Sequence, residues 1–135
     1  MPLDPVVLKQ VGLFSDVGDK QAKKIATLFK EREFSAGEAM AEEGKHGVGF
    51  FIIESGTAKV TVQGEERTTL GRGSHFGEIA LIDDGARTAT VTAETDVKAH
   101  VLIAWDFRPL VRDDAELAWG LLQGLAVMLR RNEGT

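Results

Sequence analysis

Cysteine is absent from this chain of 135 residues, and only three prolines occur in it. Without cysteine, the chain can form neither disulfides nor thiolate metal sites. No apolar run approaches the ~18 residues that a membrane-spanning helix requires. The first residues also lack the basic start and the apolar stretch of a signal peptide. These absences favour a cytoplasmic protein with no segment in a membrane.

Positive charge is in short supply as well. The chain carries 16 Lys and Arg against 21 Asp and Glu, for a formal net charge of −5. A nucleic-acid surface needs an excess of Lys and Arg on one face, so we expect no DNA binding by this chain. A bound anion would need local attraction from oriented backbone N–H groups and a well-placed arginine.

Histidine is limited to His46, His75 and His100. Jelly-roll metalloenzymes cluster their histidines in an H-x-H pattern, which this sequence lacks, so we expect no metal site. No Ser-His-Asp arrangement is apparent either. We therefore expect no catalytic residues, no cofactor and no enzymatic activity.

Many short alternating segments separated by glycine-rich turns fill the middle of the chain, which has 15 glycines in all. Short strands at regular spacing are typical of a barrel or sandwich. The sequence predicts a mainly β fold, a jelly-roll β-barrel (double-stranded β-helix) with flanking N- and C-terminal α-helices. We expect one domain over 1–135, with N-terminal helices at about 6–29, the β-barrel at about 30–103 and C-terminal helices at about 105–132.

The flanking helices carry cap signals and two unusual glycines. Asp19 is predicted to cap a helix over residues 20–29, and Asp113 or Asp114 to cap the last helix. Gly120 and Gly124 lie four apart in that helix, where each costs about 1 kcal/mol relative to alanine. We expect the barrel or a second copy of the chain to approach this face closely.

Residues 76–91 stand out, with the sequence F-G-E-I-A-L-I-D-D-G-A-R-T-A-T-V. Residues 78–82 can form one helical turn whose backbone donors face a phosphate, and Gly77 allows close approach. Arg87 supplies a planar fork that holds phosphate oxygens at two points. The carboxylate of Glu78 fits such a site if it faces a sugar hydroxyl. The segment therefore predicts a cradle for a phosphate attached to a sugar.

This segment resembles the phosphate-binding cassette of the cyclic nucleotide-binding domain family, in which F-G-E-[LI]-A-L is followed after a spacer by P-R-x-A. The resemblance covers nearly the whole chain, including L-F-S at residues 13–15, F-S-A-G-E at 34–38 and F-I-I-E-S-G-T-A at 51–58. One departure is Ala86, which replaces the proline of many members. We expect that change to loosen the loop before Arg87.

The resemblance implies a role for each cassette residue. Arg87 would bind the phosphate, Glu78 would accept from the ribose 2′-hydroxyl, and Thr88 would add a hydroxyl and an N–H. Asn132 would meet the base from the last helix. Cyclic AMP is the first choice of ligand and cyclic GMP the second. The predicted ligand contacts are Phe76, Gly77, Glu78, Ile79, Ala80, Leu81, Arg87, Thr88, Ala89 and Asn132. Ile79, Leu81 and Ile82 are expected to be core side chains more than base contacts.

The family also implies a regulatory role, in a bacterial protein by our expectation. Ligand would move the C-terminal helix, which could also form a homodimer seam with the side chains of Leu117, Leu121, Gly124, Leu125 and Met128. No DNA-reading helix-turn-helix follows, so we expect the output to pass through an effector protein, a second copy or a further domain. The alternatives are a cGMP-selective sensor, or a dimerisation or protein-interaction module with a vestigial pocket.

Overall fold

A computed structural model describes residues 2–83 and 85–132, apart from the side chain of Asn132. The Cα positions divide the chain into two compact units. One is the central unit Lys30–Ala104, and the other combines the segments that precede and follow it in the sequence. The strands are β1 Lys30–Phe34, β2 Ala39–Ala41, β3 Gly49–Ser55, β4 Ala58–Val62, β5 Glu65–Leu70, β6 His75–Phe76, β7 Thr90–Ala93 and β8 Val97–Ile103. The helices are α1 Pro5–Lys9, α2 Asp19–Ala26, α3 Ala104–Arg112 and α4 Ala115–Asn132, with short 3-10 turns at Gly12–Phe14 and Glu78–Leu81.

The central unit consists of two four-stranded antiparallel sheets, in the orders β1-β8-β3-β6 and β2-β7-β4-β5. Alternate side chains of both sheets are buried in one cluster, which includes Phe34, Phe51, Val91 and Val101. The ring of Phe51 stacks on that of Phe76 at 4.6 Å. The predicted jelly roll is confirmed, with two packed sheets in place of a closed barrel. Burying one face of each sheet is what the alternating sequence pattern requires.

One turn of the central unit differs from expectation. The sequence suggests a hairpin turn over residues 64–66, but β5 already begins at Glu65. Gln63 and Gly64 occupy the turn with φ of 52° and 80°. Positive φ at both central residues is the hairpin geometry that matches the twist of the flanking strands.

The terminal helices confirm one predicted cap and correct another. Asp114 accepts a hydrogen bond from the backbone N–H of Leu117 at 3.1 Å, as a helix cap should. Asp19 is not a cap but the first residue of α2, and Gly18 precedes it without a side-chain cap. The Asp19 carboxylate instead accepts from Lys9 at 2.9 Å. None of the described helices is both long and apolar enough to cross a bilayer.

The glycines of α4 have a different neighbour from the one expected. A Cβ on Gly120 would lie 3.0 Å from the carbonyl oxygen of Asp16. A Cβ on Gly124 would overlap the carbonyl oxygen of Leu13. The N-terminal segment therefore approaches this face closely at both glycines. Two members of the predicted dimer seam are also buried within the single chain, since Leu117 and Leu121 are only 1% and 4% exposed.

Candidate functional site

A cavity of about 570 Å³ lies within the central unit, beside the Glu78–Leu81 turn. Its volume suits a small organic ligand. All but two of the predicted ligand contacts line it, namely Phe76, Gly77, Glu78, Ile79, Ala80, Arg87, Thr88 and Ala89. Leu81 is fully buried instead, and the side chain of Asn132 lies outside the described part of the chain.

Gly77 begins the predicted helical turn in a conformation that suits glycine. Its φ is +90°, in the left-handed region, and the 3-10 turn Glu78–Leu81 follows directly. A Cβ at this position would lie 2.5 Å from Arg87 Nη1 and 2.5 Å from the carbonyl oxygen of Gly49. The missing side chain therefore lets the turn, the guanidinium and strand β3 meet at one corner of the cavity.

Arg87 places its guanidinium at the same corner. Its Nη2 donates a 2.6 Å hydrogen bond to the carbonyl oxygen of Gly49, and the rest of the group lies against Gly47. Burial lowers the pKa of Arg87, while the charge of Glu78 opposes that shift. An arginine remains protonated in a protein at neutral pH. A half-buried cation with further donors is thus available to an anion in the cavity.

The backbone around Arg87 is tied to the loop between β2 and β3. The N–H of Arg87 donates to Lys45 at 2.8 Å, and its carbonyl accepts from Gly44 at 2.9 Å. Ala86 forms an antiparallel bridge with His46. These main-chain contacts tie the segment to the loop between β2 and β3, and the loosening expected from Ala86 stays a prediction.

Glu78 keeps a largely buried carboxylate charged. Its side chain is 17% exposed, and Oε2 lies 3.5 Å from His75 Nδ1. Burial raises the pKa of Glu78, but His75, the backbone N–H of Glu78 itself and the charge of Arg87 together lower it below its usual value. Glu78 and Arg87 interact through their charges, without a direct ion pair among the contacts of the described residues. A carboxylate that is ionised and unpaired with arginine can accept from a hydroxyl.

The isoleucines of the cassette correct the expectation of core packing. Ile79 and Ile82 are 44% and 46% exposed, whereas Leu81 is fully buried as predicted. A turn of four residues at the cavity edge has one face to bury, and Leu81 occupies it. Thr88 is exposed and lines the cavity. Asp83 is exposed and accepts a hydrogen bond from the N–H of Gly85 at 2.8 Å, and Asp84 lies outside the described residues.

Sequence reasoning missed the apolar wall of the cavity and its supporting glycines. Ala41, Val60, Leu70 and Val91 supply the wall from the four strands of the second sheet. The alternation of β4, which puts Val60 on the same face as Ala58, was the available signal for the wall. Nothing in the local sequence indicated that Gly47, remote from the cassette, lies against the guanidinium.

Among the described residues, one group of potential metal ligands is found, and it contains a single histidine. His100 lies on β8 with its side chain 8% exposed, and its Nε2 is 3.8 Å from Glu54 Oε2. Glu31 completes a group whose ligand atoms lie within 4.8 Å of one another. These residues come from three adjacent strands, so sequence spacing could not reveal the group. The expectation of no metal site stays a prediction.

Comparisons with known proteins agree on one family. The model described as "Cyclic nucleotide-binding domain" matches residues 31–114. The chain is 41% identical over 97 residues to a "cAMP-dependent protein kinase regulatory subunit" of Yarrowia lipolytica, and 38% identical over 106 residues to one of Emericella nidulans. These matches cover 70% and 77% of this chain, but only 26% of each relative. The chain thus spans about a quarter of the length of these curated relatives.

Solved structures show the same fold. The N-terminal domain of a transcriptional regulator from Streptomyces coelicolor has a TM-score of 0.83 and 28% identity, with 95% of this chain and 93% of that one covered. The regulatory domain of Toxoplasma gondii PKA, crystallised with cAMP, has a TM-score of 0.70 and 29% identity, covering 81% and 43%. Similarity therefore extends from the fungal sequences to bacterial and protozoan structures, and leaves the expected bacterial origin untested.

Proposed function

The chain belongs to the cyclic nucleotide-binding domain family, and from this premise we propose that it is a cyclic AMP sensor without enzymatic activity of its own. The observation that carries the proposal is the corner where Gly77, Glu78 and Arg87 meet beside one cavity. Arginine is suited to a phosphodiester and a charged carboxylate to a sugar hydroxyl, so the pair matches a ribose phosphate. A plain anion site would not place a carboxylate there.

The choice of nucleotide rests on the relatives. The curated relatives are named cAMP-dependent, and the solved structure from Toxoplasma gondii contains cAMP. The apolar wall of Ala41, Val60, Leu70 and Val91 offers a surface on which a flat base can pack. Cyclic GMP is the second candidate, because Thr88 can serve either nucleotide.

Signalling would proceed through a shift of α4 on ligand binding, which changes what the chain presents to its effector. The relatives are regulatory subunits of a kinase by name, so a protein effector is the partner class that they favour. We place this action in the cytoplasm. These steps concern the whole protein in which such a domain acts, and they remain parts of the proposal.

Calorimetric titration with cyclic AMP, cyclic GMP and 5′-AMP tests the binding step. We expect binding of the cyclic forms with a preference for cyclic AMP, and its loss in Arg87→Ala. Arg67→Ala is the matched control, because Arg67 is an exposed arginine of β5 paired with Glu65 at 3.6 Å. If the wild type binds none of the nucleotides at high concentration, the sensor proposal is wrong.

A second candidate is a dimerisation or interaction module with a vestigial pocket. Large apolar side chains on α4 favour it, since Trp119, Leu122 and Leu129 are 63%, 56% and 59% exposed. Sedimentation of the wild type and of Trp119→Gln, each with and without cyclic AMP, discriminates between the two. Association that depends on Trp119 but proceeds without nucleotide binding would favour the module.

A further inference from the structure

One buried polar atom beside the candidate site has no hydrogen-bond partner among the described residues. This atom is His75 Nδ1, and it lies 3.5 Å from Glu78 Oε2. Hydrogen bonds between nitrogen and oxygen have lengths of roughly 2.7–3.2 Å. A shift of a few tenths of an ångström in either side chain would therefore make the bond. Because buried polar atoms are rarely left unpaired, the pair is poised to close.

The position of His75 is set by the sheet and not by the cavity. β6 pairs with β3 in antiparallel register, with His75 opposite Ile52. The imidazole packs edge-on against Phe50, with ring centroids 5.8 Å apart and an interplanar angle of 71°. Backbone pairing and ring packing thus fix the nitrogen before any ligand arrives, and Glu78 lies only three residues further along the chain.

We infer that His75 is a positioning residue for Glu78, which it holds by one carboxylate oxygen so that the other accepts from a ligand's sugar hydroxyl. This inference rests on the proposed function, because it assigns a partner to the second oxygen. The imidazole also supplies a donor that a largely buried carboxylate requires. Without His75 the carboxylate would turn among several rotamers, and the hydroxyl would lose a fixed acceptor.

The inference makes a ligand-specific claim. A ribose 2′-hydroxyl would gain from the held carboxylate, whereas a 2′-deoxyribose has nothing to donate to it. Substitution of His75 should therefore weaken the binding of cyclic AMP but leave that of 2′-deoxy-cyclic AMP almost unchanged. A role confined to packing would weaken both ligands alike.

Two variants separate the donor from the ring. His75→Phe keeps an aromatic ring against Phe50 but removes the donor, and His75→Asn puts an amide N–H close to the position of Nδ1. In calorimetry we expect His75→Phe to weaken cyclic AMP binding about fivefold to tenfold, within the range that a typical intramolecular hydrogen bond contributes. We expect His75→Asn to recover most of that loss. Equal weakening of both ligands by His75→Phe, or of neither, would overturn the inference.

The contact between His75 and Glu78 can also be tested without nucleotide, so that its outcome does not depend on the proposed function. The Glu78 side-chain carboxyl can be titrated by NMR in the wild type, His75→Phe and His75→Asn, after thermal melting has shown that each is folded. We expect the pKa of Glu78 to rise in His75→Phe and to return toward the wild-type value in His75→Asn. An unchanged pKa would overturn the inference. If the pKa of Glu78 rises in His75→Phe but the wild type binds no nucleotide, the proposed function is wrong and the contact between His75 and Glu78 is retained.

Discussion

The guanidinium of Arg87 packs against the backbone of Gly47 so closely that a Cβ there would overlap Nε. Gly47 belongs to the loop before β3, and Arg87 lies in the segment before β7. The same guanidinium donates a 2.6 Å hydrogen bond to the carbonyl of Gly49, the first residue of β3. The orientation of the cassette arginine is thus decided by a glycine forty residues earlier in the chain.

Gly47→Ala should weaken cyclic nucleotide binding while the protein remains folded. The new methyl group displaces a flexible side chain and not a backbone atom, so the structure can adjust by moving Arg87. The guanidinium then loses its anchor on Gly49. A weakened charged hydrogen bond costs roughly 1.5 kcal/mol, which corresponds to about a tenfold loss of affinity. Calorimetry measures the affinity, and thermal melting checks the fold.

Gly71→Ala is the control for that change, because a Cβ on Gly71 meets nothing within 4 Å and its φ is not in the left-handed region. We expect its affinity to match that of the wild type. An affinity of Gly47→Ala equal to that of Gly71→Ala would show that the contact with Gly47 does not position the arginine.

Arg87→Lys should behave more like Arg87→Ala than like the wild type. Lysine keeps the positive charge but offers a point charge on a flexible stem, without the planar fork. It can reach either the Gly49 carbonyl or an anion in the cavity, but it cannot hold both with fixed geometry. Calorimetric titration of the wild type, Arg87→Lys and Arg87→Ala with cyclic AMP ranks their affinities. Near-wild-type binding by Arg87→Lys would show that charge alone supplies the attraction.

Acidification should destabilise the wild type more than Glu78→Gln. The pKa of Glu78 is depressed in the folded state, so its ionisation contributes stability above the ordinary value of 4.5. That contribution is lost as the pH falls through the lower folded-state pKa. The difference in unfolding free energy between wild type and Glu78→Gln should therefore shrink from about pH 7 to about pH 3.5. Urea titration at each pH gives the difference.

Glu66→Gln provides the comparison for the acid series, since Glu66 is an exposed carboxylate of β5. The difference in unfolding free energy between the wild type and Glu66→Gln should change less over the same pH range. If the Glu78→Gln difference stays constant or grows on acidification, the folded protein does not favour the ionised form of Glu78.

The cassette could be predicted from the sequence because the residues that would bind the ligand lie in one short segment. Residues 76–82 and Arg87 are close in sequence, and each residue type has a direct reason to bind a ribose phosphate. The turn itself is a local structure, so its bounds were predicted within a residue. The strand pattern similarly predicted the mainly β jelly-roll fold, because alternation reports burial directly.

Contacts between distant segments could not be predicted in the same way. Gly47 and Arg87 are forty residues apart in sequence, and only the tertiary structure brings them into contact. The contacts of Gly120 and Gly124 likewise lie in the distant N-terminal segment. His75 has one sequence signal, its spacing of three from Glu78. That spacing does not say which way a strand residue points relative to a turn. The exposure of Ile79 was missed because a short turn breaks the helical period on which burial predictions depend.

Gly124→Ala should destabilise the protein, although alanine is the better helix former. In an open helix the exchange would gain about 1 kcal/mol. Here the Cβ would overlap the carbonyl oxygen of Leu13 and lie 2.8 Å from that of Gly12. Backbone atoms cannot move aside as a side chain can, and overpacking typically costs about 1–3 kcal/mol. We therefore expect a net loss in the free energy of unfolding, measured by urea titration.

Gln123→Ala tests the same helix at an exposed neighbouring position. Its unfolding free energy should stay within about 0.5 kcal/mol of the wild type, as is usual for surface changes. The two variants alter helix propensity by different amounts, but only Gly124→Ala adds a Cβ, which would meet the backbone of Gly12 and Leu13. A Gly124→Ala protein as stable as Gln123→Ala would mean that the N-terminal segment does not pack on α4 at this glycine. In that case the expected approach of a second chain to this face would again need testing, by sedimentation of both variants.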